Sequence, residues 1–176
     1  MIDLDLDQYF AALDFATAAH AGQTRKGTGE SYITHPMRVA QILSIGDNNN
    51  LVQPHMLVAA LLHDAVEDTE ITQDDIYREF GYAAAVLVEA LTRQPGETKD
   101  LYMWRAISHS VEAALIKLAD RLDNLRDARC VFSPEKYRSY RAQASSMVSW
   151  ASSEWGVQLT TTDVYMALQD QLAKDG

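Results

Sequence analysis

Apolar residues recur along this chain at intervals of three and four, the spacing that lines one face of an α-helix. The first run, through Phe10, Leu13, Phe15 and Ala16 to about His20, has Asp7 placed to cap it. Gly22 to Glu30 then reads as a loop with three glycines and two cations, Arg25 and Lys26. His35-Pro36 predicts a helix start, with Pro at the first helical position and His35 just outside. Its stripe is Val39, Ala40, Ile42 and Leu43, and the polar stretch from Gly46 to Asn50 ends it. Gln53-Pro54 opens a strongly apolar central helix, Met56 to Leu62, which the pattern continues through Asp68.

Thr72 to Asp75 reads as a capping box, and Phe80-Gly81 separates its helix from one carrying Ala84, Val86, Leu87 and Leu91. Pro95-Gly96 is a turn, and 101–129 is helical with a break near Ser108-His109-Ser110. Ser133-Pro134-Glu135 starts a helix through Tyr137, Tyr140 and Met147, and Thr161 or Thr162 starts a last one through Leu172. There is no convincing alternation, internal repeat or low-complexity tract. The expectation is one all-α domain over 1–176, a bundle of about eight helices with a helical extension over 151–176. That last helix fits a lid or an association surface equally, so a homo-oligomer stays among the readings.

Composition adds limits. The chain has 176 residues, 47% hydrophobic and 23% charged, in the range of ordinary globular domains. No apolar run approaches the roughly 20 residues that span a bilayer, and the acidic start lacks a signal peptide's basic region. The single cysteine, Cys130, excludes an internal disulfide and fits a reducing cytoplasm; a small packed side chain is the expected role. A net charge of −10 disfavours nucleic-acid binding but leaves a small anionic ligand open, because a local basic cluster overrides the global field.

The chemistry concentrates where charge interrupts the apolar runs. His63, Asp64, Glu67 and Asp68 follow Leu62 directly; on a continuous helix His63 and Glu67 stack at i,i+4, as do Asp64 and Asp68. Buried carboxylates are costly to ionise, and a cation is the simplest group that makes them favourable. A second apolar helix carries Lys117, Asp120, Arg121 and Asn124 on one flank, beside a stripe of Leu115, Leu118, Leu122 and Leu125. His35, His63, Asp64 and Asp120 together make two imidazoles and two carboxylates from three helices, a set suited to Mn²⁺ or Fe²⁺ rather than to a closed structural zinc site. The blander alternatives are an acidic helix end that is merely solvated, Lys117 and Arg121 paired only with acidic neighbours, and His20 and His109 as structural or surface groups. Trp104, Trp150 and Trp155 are expected to pack on the core.

These residues resemble the metal-binding pattern of the HD-domain phosphohydrolases. Four words narrow the likeness: His20-Ala-Gly-Gln-Thr-Arg25-Lys26, Tyr32-Ile-Thr-His35-Pro36, Leu62-His63-Asp64-Ala-Val-Glu67-Asp68-Thr69 and Lys117-Leu-Ala-Asp120-Arg121-Leu-Asp-Asn124. In order, they are similar to the hydrolase domain of the RelA/SpoT family over about 10–150, and to its small stand-alone alarmone hydrolases. The resemblance implies an HD-domain bundle and Mn²⁺-dependent removal of the 3′-pyrophosphate from guanosine tetra- or pentaphosphate. It implies His35, His63, Asp64 and Asp120 as metal ligands, and Glu67 and Asp68 as the acids that orient the attacking water. Arg25, Lys26 and Asn124 match residues lining the nucleotide site, where Lys117 and Arg121 could also neutralise substrate charge. Ser31 stands where relatives usually have Pro, which predicts a different setting for the Arg25 loop; Tyr137 and Tyr140 are the candidates for an aromatic after Ser133. A phosphohydrolase acting on another nucleotide, such as NADPH, and a non-catalytic alarmone sensor are the alternatives.

Overall fold

The computed structural model describes residues 5–46 and 50–174. Among them are ten helical segments and no strand: α1 (Leu6–Ala19), α2 (Thr34–Ile45), α3 (Pro54–Leu62), α4 (Ala65–Asp68), α5 (Gln73–Leu91), α6 (Lys99–His109), α7 (Val111–Val131), α8 (Pro134–Trp155), α9 (Val157–Thr160) and α10 (Asp163–Lys174). Eight of these have nine or more residues, as the periodicity predicted, and α4 and α9 are single turns.

Helix α3 is apolar all round and therefore has no face for water. Every residue from Met56 to Leu62 is buried, against α1, α2, α5 and α7. Helix α7, started by a Ser110 Oγ that accepts the Ala113 N–H at 3.1 Å, is the second central rod. It touches α2, α3, α5, α6, α8 and α10, and its own Lys117, Asp120, Arg121 and Asp123 are buried among leucines. The C-terminal extension joins the same core through Leu159, Val164, Tyr165 and Leu168.

Several expectations are corrected. The central helix stops at Leu62: His63 and Asp64 form a turn, with Asp64 at φ −101° and ψ −6°, before α4 resumes. Here His63 Nδ1 bonds back to the Ala60 carbonyl and Asp64 accepts the Tyr32 hydroxyl, so the four polar groups do not share one continuous helical flank. Helix α2 begins at Thr34, which puts His35 inside its first turn rather than outside. The cap of α1 is Asp5, whose Oδ1 accepts the N–H groups of Asp7 and Gln8 at 3.1 Å. Gly81 divides α5 as expected, at φ 78°. Cys130 is exposed rather than packed, and Trp104 is 48% exposed, whereas Trp150 and Trp155 do pack on the core. Asp47 to Asn49, part of the stretch expected to end α2, lie outside the described residues; the helix ends at Ile45 with Gly46 as its C-cap.

Candidate metal centre and cleft

The first turn of α2, the turn after α3 and the middle of α7 meet at one point. One donor atom each from His35, His63 and Asp120 lies within 4.8 Å of the others. His35 Nε2 is 3.3 Å from Asp120 Oδ1, His63 Nε2 is 3.9 Å from the same oxygen, and all three residues are buried. Asp64 completes the group from the side, its Oδ2 lying 3.1 Å from His63 Nε2 and 3.7 Å from His35 Nε2. The buried His63 Nε2 has no aligned hydrogen bond despite that near oxygen. Two imidazole nitrogens, one of them buried and unpartnered, and two carboxylates fit a divalent cation of intermediate hardness.

The electrostatics follow from this crowding. Burial disfavours a charged His35 ring, but hydrogen bonds to Asp120 and Asp123 outweigh it and lift its pKa to about 9. His63 is raised against burial by Asp64. Burial pushes Asp64 and Asp120 up; His63 more than reverses this for Asp64, and Lys117 with His35 for Asp120, so both carboxyls stay well below the usual range. Protons thus hold together a cluster that a cation can hold instead.

Asp120 is fixed from behind. Lys117 Nζ donates to its Oδ2 at 2.8 Å and to the Tyr102 hydroxyl at 2.8 Å, while Asn124 Nδ2 donates to Oδ1. Lys117, predicted to bind substrate, is therefore engaged by Asp120, although it lines the inner chamber. That chamber, about 190 Å³, is bordered by Asp64, Glu67, Asp120 and Arg121, and it adjoins an outer cavity of about 680 Å³. Arg25, Tyr32, Lys99, Asn124 and Tyr140 line both.

The two predicted acids separate. Glu67 faces the inner chamber and accepts the Arg93 main-chain N–H at 3.2 Å. Asp68 faces the outer cavity and lies 3.2 Å from the Tyr32 hydroxyl, which also reaches Asp64 at 2.6 Å. Arg25 projects from its loop because Arg25 N–H bonds Glu30 O across the Thr24–Ser31 bridge. Its guanidinium reaches Asn124 Oδ1 and Asp127 Oδ2, each at 2.8 Å, and Lys26 lies on the outer wall. Tyr137 and Tyr140 both pack on the core, but of the two only Tyr140 lines the cleft, where Arg121 stacks 4.0 Å from its ring centroid. His20 is a buried structural group against Tyr32, and His109 is exposed, both as expected.

Sequence reasoning passed over Tyr32 as a hydroxyl donor, Lys99 and Tyr102 as wall residues, and Asp123, Arg38 and Asp127 behind the centre. Asp123 carried a signal, since it is one more carboxylate inside an apolar helix; the others became visible only once distant segments met.

The sequence model described as "HD domain" matches residues 12–148. The human guanosine-3′,5′-bis(diphosphate) 3′-pyrophosphohydrolase MESH1 is 38% identical over 96% of this chain and 95% of that protein. The guanosine-3′,5′-bis(diphosphate) 3′-pyrophosphohydrolase of Aquifex aeolicus is 34% identical over 83% of this chain and 21% of that longer protein. A solved structure described as a metazoan ortholog of SpoT that hydrolyzes ppGpp superposes with a TM-score of 0.82 at 28% identity, covering 96% of each chain. The lmo0812 protein of Listeria monocytogenes gives a TM-score of 0.68 at 25% identity, covering 84% of this chain and 99% of that one.

Proposed function

The chain belongs to the HD domain family, and from that premise we propose that it is a 3′-pyrophosphohydrolase of guanosine 3′,5′-bis(diphosphate) and its pentaphosphate. The products are GDP or GTP and pyrophosphate. The observation that carries this reading is the meeting of His35, His63, Asp64 and Asp120 at the floor of a cleft walled by Arg25, Lys99, Lys117 and Arg121. A polyanion finds its counter-charges there although the whole molecule carries −10.

His35, His63, Asp64 and Asp120 would hold the cation, with Mn²⁺ the best match to mixed nitrogen and oxygen donors and Fe²⁺ next. When bound, such an ion acidifies water by several pKa units and withdraws charge from a phosphoryl group. Glu67, on the inner chamber, takes the proton of the attacking water, and Asp68 with Tyr32 orients the approach. Arg25 and Asn124 border the nucleotide moiety, Lys26 the outer phosphates. Lys117 lines the inner chamber but gives its two hydrogen bonds to Asp120 and Tyr102, so it meets substrate as a charge shared with Asp120. We read the chain as a single catalytic domain working in the reducing cytoplasm that its lone, exposed cysteine suits.

The test is a nucleotide panel that includes NADPH, assayed with Mn²⁺, with phosphate and pyrophosphate read separately. Pyrophosphate is expected from guanosine tetraphosphate, falling to background in His63→Ala and Asp64→Ala. Inertness on that substrate with cleavage of another nucleotide would refute the substrate while leaving the chemistry. Tight alarmone binding without turnover in any divalent metal would refute the enzyme.

A further inference from the structure

The two nitrogens of the His35 ring face in different directions. Nε2 faces the ligand cluster, whereas Nδ1 faces away, 2.7 Å from Asp123 Oδ2. Asp123 is 1% exposed and takes no part in that cluster. His63 is oriented differently, through a 2.8 Å bond from Nδ1 to the main-chain carbonyl of Ala60. One imidazole is therefore set by the backbone and the other by a buried carboxylate. That carboxylate is itself clamped: Arg38 Nε donates to Oδ1 at 2.7 Å and Nη2 to Oδ2 at 3.1 Å. Well-packed apolar side chains of similar volume stabilise a core at least as well as a buried ion pair does, so packing alone gives little reason for both charges.

We propose that Asp123, clamped by Arg38, is a positioning residue that fixes the Nδ1–H tautomer of His35 and so presents its Nε2 lone pair to the bound divalent cation. A neutral imidazole carries a single N–H, and an obligate acceptor at Nδ1 holds it there. Asp123 thereby also raises the basicity of Nε2, as carboxylates behind metal-ligating histidines do. The clamp extends further. Arg38 Nη2 reaches Asp127 Oδ2 at 3.0 Å, the same oxygen takes Arg25, Arg25 reaches Asn124, and Asn124 donates to Asp120. A closed chain of side chains thus runs from one ligand, His35, to another, Asp120, through the loop that carries Arg25. The inference rests on His35 being a ligand in the proposed function.

The experiment measures Zn²⁺ and Mn²⁺ affinity calorimetrically, together with ¹⁵N shifts of the histidine rings in the Zn²⁺-loaded protein, for wild type, Asp123→Asn, Asp123→Ala and Arg38→Met. Wild type is expected to show a protonated, hydrogen-bonded Nδ1 at His35. In Asp123→Asn the one remaining oxygen stays with Arg38 and the amide N–H turns toward Nδ1, which drives the ring proton to Nε2. Metal affinity then falls by roughly ten- to a hundred-fold. Asp123→Ala falls less, since neither tautomer is imposed, and Arg38→Met least, with circular dichroism confirming folded protein in each case. A structural role alone would lower melting temperatures and leave affinity and ring shifts unmoved. Variants that bind Zn²⁺ within twofold of wild type with unchanged His35 shifts therefore overturn the inference while leaving the function. Wild-type protein that binds neither ion removes the function reading and the inference with it.

Discussion

The residues that carry the chemistry are costly to bury unless something pairs with them, which is why they stood out. His63 and Asp64 interrupt an apolar run, and Asp120 does so again on a second helix. Position relative to the cluster separates the roles of the two following acids. Glu67 borders the inner chamber with Asp64 and Asp120, whereas Asp68 borders only the outer cavity. Glu67→Gln is therefore expected to lower kcat by about 10²- to 10⁴-fold, the range for a lost general base, with metal affinity unchanged. Asp68→Asn should cost far less in kcat, and steady-state kinetics with a parallel metal titration would show both. Equal losses in the two variants would refute the division of labour. The Tyr32 hydroxyl was not legible as a site group, and Asp123 showed only as one more carboxylate in an apolar helix, because each acts through a partner more than 30 positions away.

At the scale of elements, caps and periodicity located the helices well, and the misses have physical causes. Sequence pattern carries α3 through Asp68, but the His63 ring takes the Ala60 carbonyl in competition with the helical ladder, and the Tyr32 hydroxyl holds the Asp64 carboxylate on the turn that follows. That break turns Asp64 toward both imidazoles. The glycine-rich loop is seated by Gly27, which sits at φ +102° where an added Cβ would run into the Val131 side chain of α7. Gly27→Ala is expected to cost about 1–2 kcal/mol from the left-handed backbone alone. The displaced loop takes Arg25 and Lys26 with it and leaves the ligands in place. KM for the nucleotide should therefore rise several-fold while kcat changes little. A kcat loss matching the KM rise would show that the loop serves the centre itself.

On the scale of the whole molecule, acidity and function are reconciled by a local cluster of cations at the cleft. The whole chain carries −10, yet Lys99, Lys117, Arg121 and Lys136 gather at the cleft, and burial together with Arg121 lowers the Lys99 pKa. The metal-free protein should respond to pH through its buried imidazoles. His35 keeps its proton in the folded state to about 9, whereas an unperturbed imidazole releases it near 6.5. A raised folded pKa stabilises fully below 6.5 and loses that contribution as pH rises through 9. In EDTA the melting temperature should fall across that window. Mn²⁺ affinity should rise over the same interval, because the cation displaces protons from its ligands. A flat EDTA melting curve from 6.5 to 9 would contradict the charged metal-free cluster.

What the sequence determined by itself was the all-α class, the longer helices and the costly polar residues that interrupt apolar runs, since local spacing and burial cost are properties of neighbouring positions. Tertiary structure alone decided which atoms meet. Helices α2, α3 and α7 converge because their apolar faces must be buried together, and that convergence sets His35, His63, Asp64 and Asp120 around one point. It also decided that Asp123 and Arg38 stand behind His35 and split Glu67 from Asp68, pairings that depend on contacts between distant segments.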